Sequence, residues 1–270
     1  MALRSALVNV MAQAAKRAAR GLVHDFGEVE QLQVSKKGPA DFVSNADLKA
    51  ERVLRQELGK ARPDWGFLLE ESGAIAGKDA EHRWVVDPLD GTLNFLHGIP
   101  HFAITIAAER REEPVAGIVY DPIRDELFWA EKGQGAYLNE RRLRVSGRKR
   151  LEDAVVATCL PRPGEERQRR GLAELAVVMP EVAEVRRFGS AALDLAYTAA
   201  GRYDAYWEWS LKRWDISAGV LLMREAGGLV SEIDGGHKVL ETGNVLAAND
   251  VLHEPTRRLL ARARKTGVKT

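Results

Sequence analysis

Two aspartates three positions apart follow a short apolar run in the segment WVVDPLDGTLNF, residues 84–95. The run has the length of a buried strand, and Asp87-Pro88 and Asp90-Gly91 are ordinary turn dipeptides. A simple tight turn would explain them. Two carboxylates held this close, however, repel each other unless they share a proton or bind a cation. The fold must therefore bring other groups to meet these two acids.

The residues between and after the two aspartates favour a cation site. Pro88 fixes its own φ and donates no hydrogen bond, so the Leu89 carbonyl can lie between the two carboxylates. This gives three hard oxygen ligands from four residues, which suits Mg²⁺. Gly91 can expose backbone N–H groups to a phosphate oxygen, and Thr92 adds a hydroxyl to the same turn.

Further acids lie at the ends of other apolar segments. Glu70 and Glu71 follow the run FLL, Asp47 lies in the first turn of a predicted helix, and Asp215 lies at the head of another. Each has a simpler explanation alone, as a solvated acidic loop or as a helix-capping group. Because sites in layered sheets form at the ends of strands, these positions together favour a single acidic cleft.

Composition excludes several classes of function. The chain has 270 residues, 45% of them hydrophobic, and a formal net charge of +1, so nothing draws it as a whole toward nucleic acid or an anionic membrane. No apolar run approaches the roughly 20 residues that cross a bilayer. The only cysteine, Cys159, excludes an internal disulfide and fits a reducing compartment. We therefore expect a cytoplasmic protein without a membrane span.

The hydrophobic pattern predicts two halves, 1–150 and 151–270, within one compact catalytic unit. In the first half, an amphipathic helix ending near Gly21 leads through a polar loop to a second helix. Short strands follow, including an antiparallel meander of FAITIAAE, PVAGIVYD and ELFWAE, and then loops over 132–150. In the second half, strands alternate with helices, as in layered α/β architecture. The last helix is basic.

Three motifs give the chain a specific resemblance. The segments DPLDGTLNF, EES and WDISAGVLLMREAGG are similar to the three signatures of the inositol monophosphatase family, and they occur in the expected order. GPADFVSNAD resembles the N-terminal loop of that family, and RRFGSAALDLAYTAAGRYDAYWE resembles its substrate segment. The resemblance implies an α/β fold, a layered α-β-α-β-α sandwich of the sugar-phosphatase type with α+β character in the N-terminal half. It also implies a homodimer with metals between the halves.

The resemblance also implies roles for individual residues. Glu70, Asp87 and the Leu89 carbonyl would hold a first Mg²⁺, Asp87, Asp90 and Asp215 a second, and Glu70 with solvent a weaker third, with Mn²⁺ able to substitute. Thr92 and Asp47 would position or deprotonate the attacking water. The substrate contacts would come from Asp90, Gly91, Thr92, Arg186, Gly189, Ser190, Ala191, Glu208 and Asp215. One departure from the pattern is Leu93, where threonine is common, and its side chain should point away from the metals.

The implied activity is hydrolysis of myo-inositol 1-phosphate by in-line attack of a metal-activated water, with lithium sensitivity. The same chemistry on fructose 1,6-bisphosphate, histidinol phosphate or a nucleotide 3′-phosphate is an alternative. Glu208 favours a polyol, because a carboxylate accepts hydrogen bonds from a diol and repels a second phosphate. A third interpretation is an RNA- or transcription-complex-binding protein in which catalysis is secondary.

Several other patterns have simpler explanations. His97 and His101 have a zinc-like spacing, but Gly98 and Pro100 prevent one helix from presenting both, so we expect a loop. KGQGAYLN lacks the third glycine of a dinucleotide-binding loop and is predicted to be a turn. We expect Trp207 and Trp209 to lie in the core or an interface. The basic clusters NERRLRVSGRKR, ERQRR and TRRLLARARKTGVKT fit solvated loops and a helix C-terminus, with nucleic-acid phosphate as the alternative partner.

Overall fold

A computed structural model describes residues 4–28, 34–38, 41–160 and 166–265. The α-helices are α1 Ala6–Phe26, α2 Asn45–Ala61, α3 Thr92–Leu96, α4 Glu166–Val178, α5 Ala191–Ala199, α6 Arg213–Glu225, α7 Val239–Thr242 and α8 His253–Lys265. The strands are β1 Val34–Gly38, β2 Asp41–Ser44, β3 Trp65–Leu69, β4 Gly73–Ile75, β5 Asp79–Asp90, β6 Ala103–Arg110, β7 Glu113–Asp121, β8 Glu126–Glu131, β9 Gly135–Leu138, β10 Arg141–Arg142, β11 Val155–Thr158, β12 Glu184–Arg186, β13 Ala205–Glu208, β14 Leu229–Ser231 and β15 Val245–Ala248. Two short 3₁₀ turns cover Leu151–Asp153 and Met179–Glu181.

Two large sheets organise the described residues. The first has eight strands in the order β10-β9-β8-β7-β6-β5-β3-β4, and every neighbouring pair is antiparallel except β3 and β5. The second has five strands in the order β12-β11-β13-β15-β14, with β11 parallel to both of its neighbours. Strands β1 and β2 form a separate antiparallel pair. The predicted antiparallel meander is confirmed as β6, β7 and β8.

The helices and the sheets alternate in layers. Helices α1 and α2 cover one face of the eight-stranded sheet, where Met11 and Leu54 share a buried cluster with Trp84. Helices α5 and α6 lie between the two sheets and contribute to a second cluster with Val119 and Tyr206. Helices α4 and α8 cover the outer face of the five-stranded sheet. This is the predicted layered α/β sandwich, whereas the division into halves at residue 150 stays a prediction.

Helix α6 packs unusually close to its neighbours on both sides. A Cβ added at Gly117 of β7 would lie 2.9 Å from Cα of Ala218, and one added at Gly219 would lie 2.6 Å from Leu195 of α5. Only hydrogen fits at these two positions, so the backbone of β7 approaches that of α6 directly, and the Leu195 side chain packs against the α6 backbone. The helix that carries Asp215 is therefore held firmly between the sheet and α5.

Three predictions about local structure were wrong. Helix α1 does not end near Gly21 but continues to Phe26, because Gly21 faces solvent while buried Leu22 maintains the packing. The predicted loops of 132–150 contain β9 and β10, and KGQGAYLN is partly strand, because pairing with β8 buries Ala136 and Leu138. The predicted polar loop before α2 contains β1 and β2, while Pro39 and Ala40 lie outside the described residues.

No helix within the described ranges is both long and apolar enough to cross a membrane. Residues 266–270 of the basic C-terminal segment lie outside the described residues.

Candidate active site

The end of strand β5 places two aspartates on one side of the sheet edge. In a regular strand, Asp87 and Asp90 would point to opposite faces, because side chains alternate. Here Asp87 lies opposite Thr105 and Asp90 opposite Ala103, so three steps along β5 match two along β6. This bulge turns both carboxylates toward the same region, and Oδ1 of Asp87 accepts the Leu89 N–H at 2.8 Å.

Parallel pairing brings Glu70 to the same edge. Strands β3 and β5 run parallel, with Leu69 opposite Val86, so the next residues along the two chains, Glu70 and Asp87, are neighbours. The Glu70 N–H donates to the Val86 carbonyl at 3.2 Å. The loop after Glu70 is held by Glu51 of α2, which accepts the Glu71 N–H at 2.8 Å and the Ser72 hydroxyl.

Asp215 reaches this edge from helix α6, and its environment resembles that of the strand acids. Its Oδ2 accepts the Lys212 N–H at 2.7 Å in a capping arrangement. Burial and then the charges of neighbouring carboxylates, Asp90 foremost, hold the pKa of Asp215 well above its usual range. Burial, followed by the charges of Glu70, Asp90 and Asp215, does the same to the pKa of Asp87.

Asp90 differs because its hydrogen-bond donors come from the distant substrate segment and not from its own turn. Enclosure raises the pKa of Asp90 to about 6, although hydrogen bonds from α5 oppose the increase. Its Oδ2 accepts the Ser190 hydroxyl at 2.5 Å and the Ala192 N–H at 2.8 Å. The predicted substrate residue Ser190 is thus brought to the acidic cluster, but its hydroxyl is directed at Asp90.

The donor set fits a divalent cation. Glu70, Asp87, Asp90 and Asp215 provide mutually repelling carboxylates, and such hard oxygens are the ligands that Mg²⁺ prefers. Among the residues that the structure describes, no three of the Asp, Glu, His and Cys side chains already stand close enough to hold a metal ion. Binding would therefore draw the carboxylates together and relieve their repulsion.

Thr92 and Asp47 meet beside the strand-end turn. Gly91 precedes Thr92 with φ of 99°, a left-handed conformation that favours glycine. The Thr92 hydroxyl lies 3.2 Å from Oδ1 of Asp47 and 3.0 Å from the Leu89 carbonyl. Asp47 is fully buried, and its Oδ2 accepts both the N–H and the hydroxyl of Ser44, at 2.8 and 2.6 Å. Burial raises the pKa of Asp47 despite these hydrogen bonds.

The remaining predicted substrate residues, Glu208, Gly189, Ala191 and Arg186, do not share one environment. Glu208 ends β13 and accepts the Tyr206 hydroxyl at 2.6 Å, and burial raises the pKa of Glu208 to about 7 with a contribution from the Asp90 charge. Gly189 lies close to Asn94, and Ala191 begins α5. Arg186 is half-buried and bonds within its own segment, to the Val185 carbonyl and to Glu184, both at 3.2 Å.

Two polar residues in this region were not predicted from the sequence to belong to the site. Asn94 Nδ2 donates to the carbonyls of His101 and Phe188 at 2.8 and 2.7 Å, and so ties α3 to the substrate segment. Asp194 is completely buried in α5. Its signal was visible as a single acid in the otherwise apolar run AALDLAYTAA.

Two of the features given simpler explanations, the histidine pair and the tryptophan pair, lie as expected. His97 and His101 lie in the irregular segment between α3 and β6. Trp207 is buried, and Nε1 of Trp207 and of Trp209 each donate to Glu174, at 3.0 and 2.9 Å. Several arginines of the basic clusters form ion pairs with acids of the same chain. These pairs are Arg148 with Asp204, Arg257 and Arg258 with Glu254, Arg262 with Glu181 and Arg264 with Asp234.

Comparisons with known proteins show the family to which the chain belongs. The sequence profile described as the inositol monophosphatase family matches residues 3–267. A protein from Mesorhizobium japonicum named inositol-1-monophosphatase is 59% identical over 249 residues, which cover 92% of this chain and 94% of the relative. A protein from Escherichia coli K12 named Nus factor SuhB is 42% identical over 243 residues, 90% of this chain and 91% of the relative.

A solved structure has the same fold over the whole length. The extragenic suppressor protein suhB from Bartonella henselae superposes with a TM-score of 0.93 at 55% identity, covering 98% of this chain and 100% of that one. With a family profile matched from residue 3 to residue 267, the chain belongs to the inositol monophosphatase family.

Proposed function

We propose that this protein is a Mg²⁺-dependent phosphomonoester hydrolase that converts myo-inositol 1-phosphate and water to myo-inositol and phosphate. Family membership and the names of the most similar relatives support this activity. The single observation that carries it is the gathering of Glu70, Asp87, Asp90 and Asp215, whose charges act on one another at one sheet edge. A phosphate ester with its cations would occupy this acidic region.

Two or three Mg²⁺ ions would be held by the carboxylates and the Leu89 carbonyl. Glu70, Asp87 and Leu89 would hold the first, and Asp87, Asp90 and Asp215 the second, while Glu70 with solvent would hold a weaker third. Mn²⁺ can substitute, because both ions accept oxygen ligands. When bound, such ions polarise phosphoryl oxygens, lower the pKa of water and stabilise a leaving alkoxide.

Thr92 and Asp47 would prepare the water that attacks phosphorus. The Thr92 hydroxyl can accept a hydrogen bond from water while it donates to Asp47 Oδ1, which lies 3.2 Å away. Asp47 would take up the proton, since burial raises its pKa above the usual range and Ser44 holds its other oxygen. The water oxygen forms the new P–O bond as the ester P–O bond breaks in line. The leaving oxygen takes a proton from solvent to give the alcohol, and Asp47 later returns its proton to solvent.

The substrate would lie between the strand-end turn and the beginning of α5. Backbone N–H groups of Gly91 and Thr92 would bind the phosphate. Ring hydroxyls would meet Asp90, Asp215 and Glu208, with Arg186, Gly189, Ser190 and Ala191 shaping the same side. Glu208 favours a polyol over a bisphosphate, since its carboxylate repels a second phosphate nearby.

A phosphate-release panel tests the substrate. It compares myo-inositol 1-phosphate with fructose 1,6-bisphosphate, histidinol phosphate and a nucleotide 3′-phosphate, each with Mg²⁺ and with EDTA. We expect the inositol ester to have the highest kcat/KM of the four substrates, and we expect no turnover in EDTA. A higher kcat/KM for another ester would show that this ester is the preferred substrate, with the hydrolytic mechanism unchanged. Turnover in EDTA would overturn the metal dependence.

A role in a transcription complex is a second candidate, supported by the Escherichia coli relative named a Nus factor. Ion pairs within the protein already neutralise several arginines of the basic clusters, which weakens the case for direct RNA binding. Salt-sensitive RNA or polymerase binding that persists in Asp87→Asn would support this role. Its absence at low salt would count against it. We also expect a cytoplasmic homodimer that lithium inhibits.

A further inference from the structure

One fully buried carboxylate takes no part in the chemistry proposed above. Glu109 projects from β6 and is completely enclosed by protein. It accepts hydrogen bonds from Nε of Arg83 and Nε of Arg213, each at 2.8 Å, and from the Ser217 hydroxyl at 2.6 Å. A charge buried this deeply requires such partners, and removing one of them leaves an uncompensated charge.

These partners lie on the two elements that present the acidic cluster. Arg83 is on β5, four residues before Asp87. Arg213 and Ser217 are on α6, two residues before and two residues after Asp215. Glu109 therefore connects the strand that carries one part of the site to the helix that carries another.

Helical geometry explains how a contact on one side of α6 can direct a side chain on the other. Arg213 and Ser217 are four residues apart and so share a face of the helix. Asp215 lies midway between them in sequence, about 200° around the axis from Arg213, and projects from the opposite face. There its carboxylate is close enough to Asp90 and Glu70 for their charges to act on it. Fixing the first face thus fixes the direction of Asp215.

We propose that Glu109 is a positioning residue that sets the rotation of the first turn of α6 and thereby places Asp215 against Asp87 and Asp90. The inference rests on the proposed function, because the placement of Asp215 matters only if this residue holds a metal. Arginine has a rigid guanidinium, so paired arginine–carboxylate contacts fix geometry as well as charge. Glu109 is not itself a proposed metal ligand, and it acts through Arg213 and Ser217.

A matched control exists on the same helix. Glu225 ends α6, and its two carboxylate oxygens accept the N–H groups of Gly133 and Gly135, both at 2.8 Å. It too anchors α6 to the eight-stranded sheet, but ten residues and about 15 Å from Asp215. A change there loosens the helix without disturbing the turn that carries the proposed metal ligand.

The test measures Mn²⁺ binding to the full-length protein by titration calorimetry and by electron paramagnetic resonance of free Mn²⁺. Glu109→Gln should weaken Mn²⁺ binding by about 10- to 100-fold, as loss of groups that orient metal ligands does elsewhere. Glu225→Gln should stay within about twofold of wild type. The Mg²⁺ concentration for half-maximal phosphate release should rise for Glu109→Gln, whereas kcat at saturating Mg²⁺ should recover. Circular dichroism at each Mg²⁺ concentration distinguishes this recovery from refolding of the variant, which metal binding would also favour.

Folded Glu109→Gln that binds Mn²⁺ like wild type would overturn the inference, as would equal weakening by Glu225→Gln. If Glu109→Gln does not fold by circular dichroism, Arg213→Lys and Ser217→Ala replace it. Weaker Mn²⁺ binding by either folded variant supports the inference, and wild-type binding by both overturns it. Failure of the wild-type protein itself to bind Mn²⁺ would instead refute the proposed function, and this inference with it.

Discussion

The Thr92 hydroxyl lies 3.2 Å from Oδ1 of Asp47, although 45 positions separate the two residues in the chain. Thr92 begins the short helix α3, whereas Asp47 lies in the first turn of α2. The second carboxylate oxygen of Asp47 is bound by Ser44, so only Oδ1 faces the hydroxyl. This arrangement directs the threonine oxygen, with its lone pairs free, toward the region of the turn.

Thr92→Val should lower kcat for inositol 1-phosphate by about 10²- to 10⁴-fold, the contribution typical of a positioned acid–base group. Valine keeps the shape of threonine but can neither bind the water nor pass its proton to Asp47. Thr92→Ser should restore much of the rate, while Thr242→Val on α7 is the control. Steady-state phosphate release decides the matter, and a kcat for Thr92→Val near that of wild type would remove Thr92 from the mechanism.

Asp87→Asn should abolish turnover and yet raise the stability of the metal-free protein. The buried Asp87 carboxylate is repelled by Glu70, Asp90 and Asp215, and an uncharged amide removes that repulsion while still accepting the Leu89 N–H. In EDTA the variant should therefore melt at a higher temperature than wild type. Added Mg²⁺ should raise the melting temperature of wild type more than that of the variant. Hydrolysis within about threefold of wild type at saturating Mg²⁺ would contradict the assigned role.

The sequence predicted the acids but not the way in which they meet. Asp87 and Asp90 could be identified because turn chemistry and repulsion are local. Their common orientation depends on a bulge that only the pairing with β6 reveals. The Glu109–Arg213 pair spans 104 positions, and charged residues in a strand and at a helix start usually indicate exposed sites. Burial of such pairs is a tertiary property that no local pattern encodes.

Errors at element boundaries have a similar cause. A glycine in a helix costs about 1 kcal/mol relative to alanine, which favours a stop at Gly21. Packing of the following Leu22 against the core offsets this cost, and α1 continues. The glycines and arginines around β9 favour loops, but Ala136 and Leu138 of this strand are buried, and their packing stabilises it. Tertiary contacts decided both cases.

Asp194→Leu should stabilise the protein, and more so at high pH. Within the described residues neither carboxylate oxygen of Asp194 has a hydrogen-bond partner, and burial together with the charges of Glu208 and Asp90 holds its pKa well above the usual range. Between the unfolded pKa of about 3.9 and this raised value, the folded state binds more protons, so wild-type stability falls as pH rises. The leucine variant does not lose stability in this way, and its free energy of unfolding should exceed that of wild type by about 1–3 kcal/mol.

Urea unfolding in EDTA at about pH 5 and pH 8 measures the effect, because the difference between Asp194→Leu and wild type isolates this one group. The exposed Asp250 provides the control as Asp250→Asn. An advantage of the leucine variant that is equal at both pH values would show that Asp194 does not carry the raised pKa.

Glu208→Gln should reduce selectivity for polyol esters while leaving the phosphate chemistry intact. Tyr206 donates to Glu208 Oε2 at 2.6 Å and the Cys159 thiol also hydrogen-bonds this carboxylate, which keeps further lone pairs to accept from ring hydroxyls. The amide keeps the size but replaces one acceptor with a donor, so kcat/KM for inositol 1-phosphate should fall about 10-fold. For p-nitrophenyl phosphate, which has no diol, kcat/KM should change by less than about twofold. Glu140→Gln, exposed in the turn between β9 and β10, is the matched control, and an equal loss with both esters would place Glu208 in catalysis instead of substrate choice.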